Sequence, residues 1–245
     1  MALQATKTEV KPYNTSASKS REVEQMFDSI SHKYDFLNHF LSMGIDKIWR
    51  KKAISKLNEI KPKKILDVAT GTADLAIAAN VLKPTEVIGV DLSENMLNVG
   101  RKKLAELGLN HIKLQKGDSE NLPFANDEFD AITVGFGVRN YQNLETGLSE
   151  MRRVLRPGGK LVVLEFSKPS TFPIKQLFNF YSKYILPLWG KIFSGSKEAY
   201  TYLPESVKHF PEGENFLRIL KSCGYHNCVH TRLTFGICSI YEASK

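Results

Sequence analysis

The stretch Lys63-Lys64-Ile65-Leu66-Asp67-Val68-Ala69-Thr70-Gly71-Thr72-Ala73-Asp74 decides the fold. Ile65 to Val68 is a short apolar run, Ala69 to Ala73 are small, and Leu75 to Ala79 are good helix formers. That order reads as a buried strand, a tight turn and a helix N-terminus, where backbone N–H groups face a ligand. Gly71 supplies the backbone freedom for a close approach. Ala69 and Ala73 stand where a nicotinamide-binding G-x-G-x-x-G loop carries glycines, so that fingerprint is absent.

Working outward, Glu86 to Asp91 is a second strand ending in a carboxylate, twenty-four residues after Asp67. An acid there can accept both hydroxyls of a ribose, or it can cap the next helix, a task Ser93 could equally perform; the turn at Gly71 favours ribose. Asn95 to Leu107 reads as a helix closed by Gly108 and Ile112 to Gly117 as a third strand, followed by the polar Asp118-Ser119-Glu120-Asn121. Phe129 to Phe136 is a fourth strand that leads into Gly137-Val138-Arg139-Asn140 on the same edge. Glu145 to Leu155 is a helix, and Arg156-Pro157-Gly158-Gly159 turns into a fifth strand, Lys160 to Phe166. Strands alternating with helices imply an α/β domain with a parallel sheet and right-handed crossovers. Val229 to Leu233 and Ile237 to Ala243 form a closing hairpin after a helix near Glu214 to Ser222.

Upstream, Arg21 to Phe40 and Ile45 to Leu57 read as helices, and residues 21–60 form a helical unit, either packed on the main domain or serving as a lid over a bound ligand. Residues 1–20 lack the apolar core of a signal peptide and read as a mobile tail of a cytoplasmic protein, with residues 21–245 as one domain. Downstream, Phe172 to Phe193 carries seven aromatics, three lysines and no acid. This part of the 172–212 insertion suits either core or an interfacial, greasy substrate side.

Composition bounds the rest. The chain has 245 residues, 42% hydrophobic and 24% charged, ordinary for one globular domain. No run approaches the ~18 apolar residues of a membrane span. Cys223, Cys228 and Cys238 are odd in number, which argues against a disulfide framework; without a CxxC pair, no metal site is expected. The net charge of +8 concentrates between Lys47 and Lys64, where eight basic residues face the single acid Glu59. Singly these lysines are a solvated helix face; together they suit an anionic surface nearby.

With these residues in place, the chain resembles the class I S-adenosylmethionine-dependent methyltransferases over roughly residues 21 to 245. More narrowly it is similar to the C-methyltransferases of menaquinone and ubiquinone biosynthesis. The marks are Phe27-Asp28-Ser29-Ile30-Ser31-His32-Lys33-Tyr34-Asp35, Phe136-Gly137-Val138-Arg139-Asn140, Leu164-Glu165-Phe166-Ser167-Lys168-Pro169 and Tyr202-Leu203-Pro204-Glu205-Ser206-Val207. The resemblance implies a Rossmann-like, doubly wound seven-stranded sheet of order 3-2-1-4-5-7-6 with strand 7 antiparallel. It implies S-adenosyl-L-methionine as cofactor, with Asp67 and Gly71 in the loop and contacts from Thr72, Asp91, Asp118 and Ser119. Relatives often carry serine where this chain has Gly135, so that side-chain contact is lost.

The implied reaction is C-methylation of a prenylated quinol, demethylmenaquinol first and a methoxy-polyprenyl-benzoquinol second. A phenolic hydroxyl has a pKa near ~10, so a nearby cation should favour the ionised, nucleophilic ring. Arg139 is the candidate for that role, with a structural ion pair as its competing reading; Tyr34, Asp35 and His209 are candidates for orientation or proton removal. Expected partners are the quinol, with a transient membrane-surface contact at the inner face and a second copy of the chain left open. An RNA methyltransferase is the rival suggested by charge, but no RNA-binding motif is visible and nucleic acid is not expected. A non-catalytic S-adenosylmethionine-binding protein is the rival of a different class.

Overall fold

The computed structural model describes residues 10–185 and 197–245. Seven strands form one sheet: β1 (Lys64–Val68), β2 (Glu86–Asp91), β3 (Ile112–Lys116), β4 (Phe129–Gly135), β5 (Leu155–Phe166), β6 (His226–Leu233) and β7 (Cys238–Ser244). Their order is β3-β2-β1-β4-β5-β7-β6. β1 to β5 pair in parallel, and β7 runs antiparallel to both β5 and β6. The expected order and the antiparallel seventh strand are both present.

The strands are apolar on both faces because helices cover both. Leu66, Ile88, Ile132 and Leu161 point to one side, where α5 (Leu144–Val154) and α8 (Glu214–Ser222) bury Leu148, Met151, Phe216 and Leu220. Their neighbours Ile65, Val87, Ala131 and Val162 point to the other. There α2 (Ile45–Ser55), α3 (Asp74–Ala79) and α4 (Glu94–Glu106) bury Trp49, Ile54, Leu75 and Leu104. The period of two along a strand thus feeds two cores. At ~1.5–3 kcal/mol for each large side chain, these layers carry most of the fold's stability.

Arg156-Pro157-Gly158-Gly159 lies within β5 rather than before it. Phe129 pairs with Leu155 and Ala131 with Lys160, so these four residues loop out of the ladder as a bulge.

A third, smaller cluster stands apart from the sheet. α1 (Lys19–Leu41) brings Val23, Met26 and Ile30 against Ala199 and Tyr202 of α7 (Lys197–His209). α7 contains the Tyr202-to-Val207 motif and was not legible as a helix, because Pro204 sits inside it. The segment read as a mobile tail has its described part tied down: Glu22 accepts hydrogen bonds from the Tyr13 and Thr15 amides at 2.7 Å each. Val10 and Tyr13 pack on the same small cluster.

The aromatic segment divides. α6 (Ile174–Phe180) and the turn after it leave Phe172, Leu177, Phe180 and Tyr184 more than half exposed, so in the described residues these side chains are surface and not core. Pro187, Trp189 and Phe193 lie outside the described residues.

Candidate active site

The loop after β1 is held in an unusual backbone conformation. Ala69, Gly71 and Ala73 all have positive φ, at 54°, 56° and 69°. For an alanine this costs on the order of 1–2 kcal/mol, strain of the kind found where a backbone is shaped for a ligand. Asp67 holds the loop from beneath. It is fully buried, and its two oxygens accept hydroxyl hydrogen bonds from Thr70 and Thr133, both at 2.6 Å. Burial pushes its carboxyl up to about 6, against the pull of those two hydroxyls. Asp67 therefore supports the cofactor loop and does not reach the cleft wall.

A cleft of about 70 Å³ opens where the strands end, bordered by Gly71, Asp91, Asp118, Ser119 and Gly135. Asp91 is fixed on its wall from two sides. One carboxylate oxygen accepts the Gly71 amide at 2.7 Å and the other accepts the Ser93 amide at 2.9 Å. Each oxygen keeps a lone pair for a further donor, and the carboxylate is locked in place. Desolvation raises the Asp91 carboxyl; the Ser93 and Gly71 amides oppose this, and the Asp28 charge adds to it.

α1 lies across this cleft and is fastened to it at four points, one of them Glu24, which accepts the Lys116 ammonium at 2.6 Å. Asp28 accepts from the Ser93 hydroxyl at 2.5 Å and from the Asn95 amide at 3.2 Å, beside Asp91. Lys19 donates to the carbonyls of Arg139 and Tyr141. Asp35 accepts the Thr72 hydroxyl at 2.5 Å and the Lys103 ammonium at 2.8 Å. Thr72 is 2% exposed and donates its hydroxyl hydrogen to Asp35. Asp35, paired with a lysine, is a clamp between α1 and the loop rather than a free base.

The same junction brings His39, Asp46 and Asp74 within ligand distance of one another. Cations already answer these carboxylates. Arg50 bridges Asp46 and Asp74, and Lys103 pairs with Asp74 as well as Asp35. The cluster is an ion-pair network joining α1, α2, α3 and α4.

Arg139 follows β4 in a tight turn (Val138–Asn140) and is almost wholly buried. Its Nη1 donates to Glu165 and to the Phe136 carbonyl, both at 2.5 Å, and its Nε donates to Ser206 of α7 at 3.1 Å. The guanidinium also lies over the Phe166 ring, 5.5 Å from its centroid. Burial lifts the Glu165 carboxyl, and Arg139 draws it back. The structural ion pair is thus real, and Glu165 quenches much of the charge that Arg139 could lend. Nη2 makes no hydrogen bond among the described residues.

Tyr34 borders the cleft edge-on to Phe27, with ring centroids 5.9 Å apart. Burial pushes its hydroxyl up to about 12 despite nearby Arg139 and Arg50, so at neutral pH it donates and cannot serve as a base. His209 does not belong to the cleft. It ends α7 with half its side chain exposed, and its Nδ1 lies 3.0 Å from the Glu205 carbonyl of its own helix.

Across most of its length the sequence matches one family. The model of the ubiE/COQ5 methyltransferase family covers residues 15–245. The chain belongs to that family. Among its relatives, a demethylmenaquinone methyltransferase of Bacteroides fragilis is 50% identical over 238 residues, spanning 96% of this chain and 97% of that protein. A ubiquinone/menaquinone biosynthesis C-methyltransferase of Geotalea daltonii is 43% identical, spanning 93% of this chain and 97% of that one. Of solved structures, a SAM-dependent methyltransferase from Thermotoga maritima superposes with a TM-score of 0.64 at 17% identity, covering 91% of this chain and 99% of that chain. At that identity the likeness concerns the fold.

S-adenosylmethionine, the cofactor of this family of methyltransferases, fits the cleft on three observations. Asp91 offers two fixed acceptor oxygens for a ribose diol. Gly71 is open: a Cβ there would meet nothing within 4 Å, leaving the backbone approachable. Tyr141 lines the cleft, and its buried hydroxyl has no hydrogen-bond partner among the described residues. At Gly135 the departure from serine has a local counterpart, since a Cβ would stand 3.1 Å from Leu75.

Sequence reasoning gave no role to Glu165, Asp28, Lys103 or Tyr141. Glu165 had a signal: a lone acid in the apolar run Leu161 to Phe166 must find a partner when buried. Asp28 lies in the stretch Phe27 to Asp35 that carries the resemblance, but neither it nor Lys103 or Tyr141 had a chemical signal of its own.

Proposed function

We propose that the protein methylates a ring carbon of demethylmenaquinol, giving menaquinol. The observation that carries the substrate is the 50% identity over nearly the whole of a relative that bears this activity in its name. When bound, S-adenosylmethionine supplies an already activated methyl group. The protein is then left with alignment, exclusion of water and stabilisation of the ionised quinol. Asp91 takes the ribose, and Asp118 and Ser119 line the base side of the cleft. Nη2 of Arg139, the donor not used internally among the described residues, is the group assigned to the quinol oxygen; Tyr34 donates a second hydrogen bond. α1 acts as a lid, held over the cleft by polar fastenings at Asp28, Lys19, Asp35 and Glu24.

Transfer of labelled methyl from S-adenosylmethionine tests this directly. Reduced demethylmenaquinol should be labelled, oxidised quinone and bulk RNA should not, and a methoxy-polyprenyl-benzoquinol arm measures the wider specificity suggested by the 43%-identical relative. Labelling of RNA alone would overturn the proposal.

The prenyl tail requires an apolar route, and we assign it to the exposed face formed by Phe172, Leu177 and Phe180 of the α6 region with Phe235 of the β6–β7 turn. Two contacts bring this turn toward α2 and α6. Trp49 donates to Thr234 at 2.7 Å, and Arg232 reaches Ser170 at 3.4 Å. Lys47, Lys51 and Lys52 are exposed on α2, the helix that Trp49 ties to this turn. Among the described residues no helix is long and apolar enough to cross a membrane, so contact would be peripheral, at the inner face. Binding to anionic vesicles should exceed binding to neutral ones and fall with salt. Replacing the three lysines should weaken it by roughly 1 kcal/mol each. Equal pelleting with both vesicle types would refute the assignment.

A further inference from the structure

Tyr141 combines two properties that do not ordinarily occur together in a folded protein. It is 8% exposed, yet its hydroxyl oxygen is buried with no hydrogen-bond partner. A buried donor left alone costs on the order of 1–3 kcal/mol, and most such groups are satisfied. Phenylalanine would fill the same space in the core at no such cost.

Looseness does not explain the unsatisfied group. The ring packs into the larger of the two sheet cores. A Cβ at Gly147 would come within 2.7 Å and 2.8 Å of two ring carbons, so that glycine makes room for the ring and fixes its plane. The Tyr141 amide bonds to Val138 and its carbonyl accepts Lys19, which holds the backbone as well. Burial raises the phenol far above its usual range. Ser119, near the hydroxyl but outside hydrogen-bond geometry, opposes this in part, and the Asp91, Glu165 and Asp67 charges add to it. The proton therefore stays on Tyr141, making it a donor in need of an acceptor.

The residues around the cleft limit what that acceptor can be. Asp91 is an acceptor, so the ribose hydroxyls it meets must donate. Tyr141 is associated with the Ser119 side of the cleft: a Cβ on Gly147, the residue against its ring, would also lie 3.7 Å from the Ser119 carbonyl. Beyond the ribose, the acceptors of an adenosyl group are the ring nitrogens of adenine.

We infer that the Tyr141 hydroxyl reads the cofactor's base, donating a hydrogen bond to one adenine ring nitrogen. The inference rests on S-adenosylmethionine as the cofactor. It makes Tyr141 a specificity residue whose partner arrives with the ligand, and it accounts for the strained economy of an otherwise well-packed core.

Calorimetric titration of S-adenosylhomocysteine and its 1-deaza, 3-deaza and 7-deaza analogues into the wild-type chain and Tyr141→Phe tests this without any turnover. Phe should weaken binding of the parent ligand about tenfold, or ~1.4 kcal/mol. One deaza analogue should lose a similar factor with the wild-type chain and nothing further with Phe. The ligand-free Phe variant should melt at the same temperature as wild type or higher, because an unsatisfied buried group has gone. Unchanged affinity with a lowered melting temperature would make the hydroxyl a structural group and overturn the inference. A loss with Phe that persists for all three analogues would overturn the assignment to adenine. Absence of any wild-type binding would defeat the cofactor reading and this inference with it.

Discussion

Replacing Arg139 by glutamine will lower the unfolding free energy by roughly 3–5 kcal/mol, the scale for removing one partner of a buried ion pair. The reason is Glu165, which is completely buried and would be left with a charge and no cation beside it. The loss will depend on pH with a defined sign. Burial already raises the Glu165 carboxyl in the folded protein, and Arg139 restrains that rise. A carboxyl raised on folding contributes stability that is full below its unfolded value and lost as pH climbs through the folded value. Without Arg139 the folded value climbs further, so the gap between wild type and variant will widen from pH 5 to pH 8. Urea unfolding at the two pH values measures it, and a constant gap below about 1 kcal/mol would show that the pair is solvated. Replacing both partners with apolar residues (Arg139→Met with Glu165→Leu) should restore most of the stability, because a buried pair and its hydrophobic substitute are often equivalent. If the double variant folds and still transfers no methyl, Arg139 acts on the quinol as well as on Glu165.

Asp91→Ala should weaken cofactor binding by about 1.5–3 kcal/mol, the range for hydrogen bonds to a charged group. The fold will also be affected, because the Gly71 and Ser93 amides both lose their acceptor. The sharper expectation concerns opposite slopes. Desolvation raises the Asp91 carboxyl in the ligand-free protein, so its ionisation with rising pH removes stability. The same ionisation creates the acceptor that ribose hydroxyls bond best, so affinity should grow over that interval. Asp91→Asn should flatten both slopes. Calorimetry and thermal melting across the same buffers test this, and slopes of equal sign would remove Asp91 from the ribose position.

The sheet was legible because its chemistry is repetitive. Runs such as Ile65 to Val68 and Ala131 to Val134, apolar but for Asp67 and Thr133, are buried on both faces only when helices cover both, and the acid ending β2 marks itself by position. Side-chain direction was not legible. Thr72 lies between two residues with positive φ, which turn its hydroxyl toward Asp35, and no spacing rule foresees that. His209 stood as a candidate for orientation or proton removal while α7 was unread; once Pro204 is seen within a helix, His209 falls on that helix's exposed last turn. Tyr141 could not be found at all, since its distinction is a hydrogen bond that is missing.

The place of β7 bears on how this domain is made. Residues 238–244 form an interior strand, hydrogen-bonded on one side to β5 and on the other to β6, which precedes it in the chain. While a ribosome is still adding them, β5 has an open edge beside Leu161, Val163 and Leu164, and β6 has no neighbour to join. Such an edge is a template for pairing with another nascent chain. A domain closed from the middle of its sheet cannot be protected piece by piece during synthesis, and it depends on that strand arriving before a stranger does.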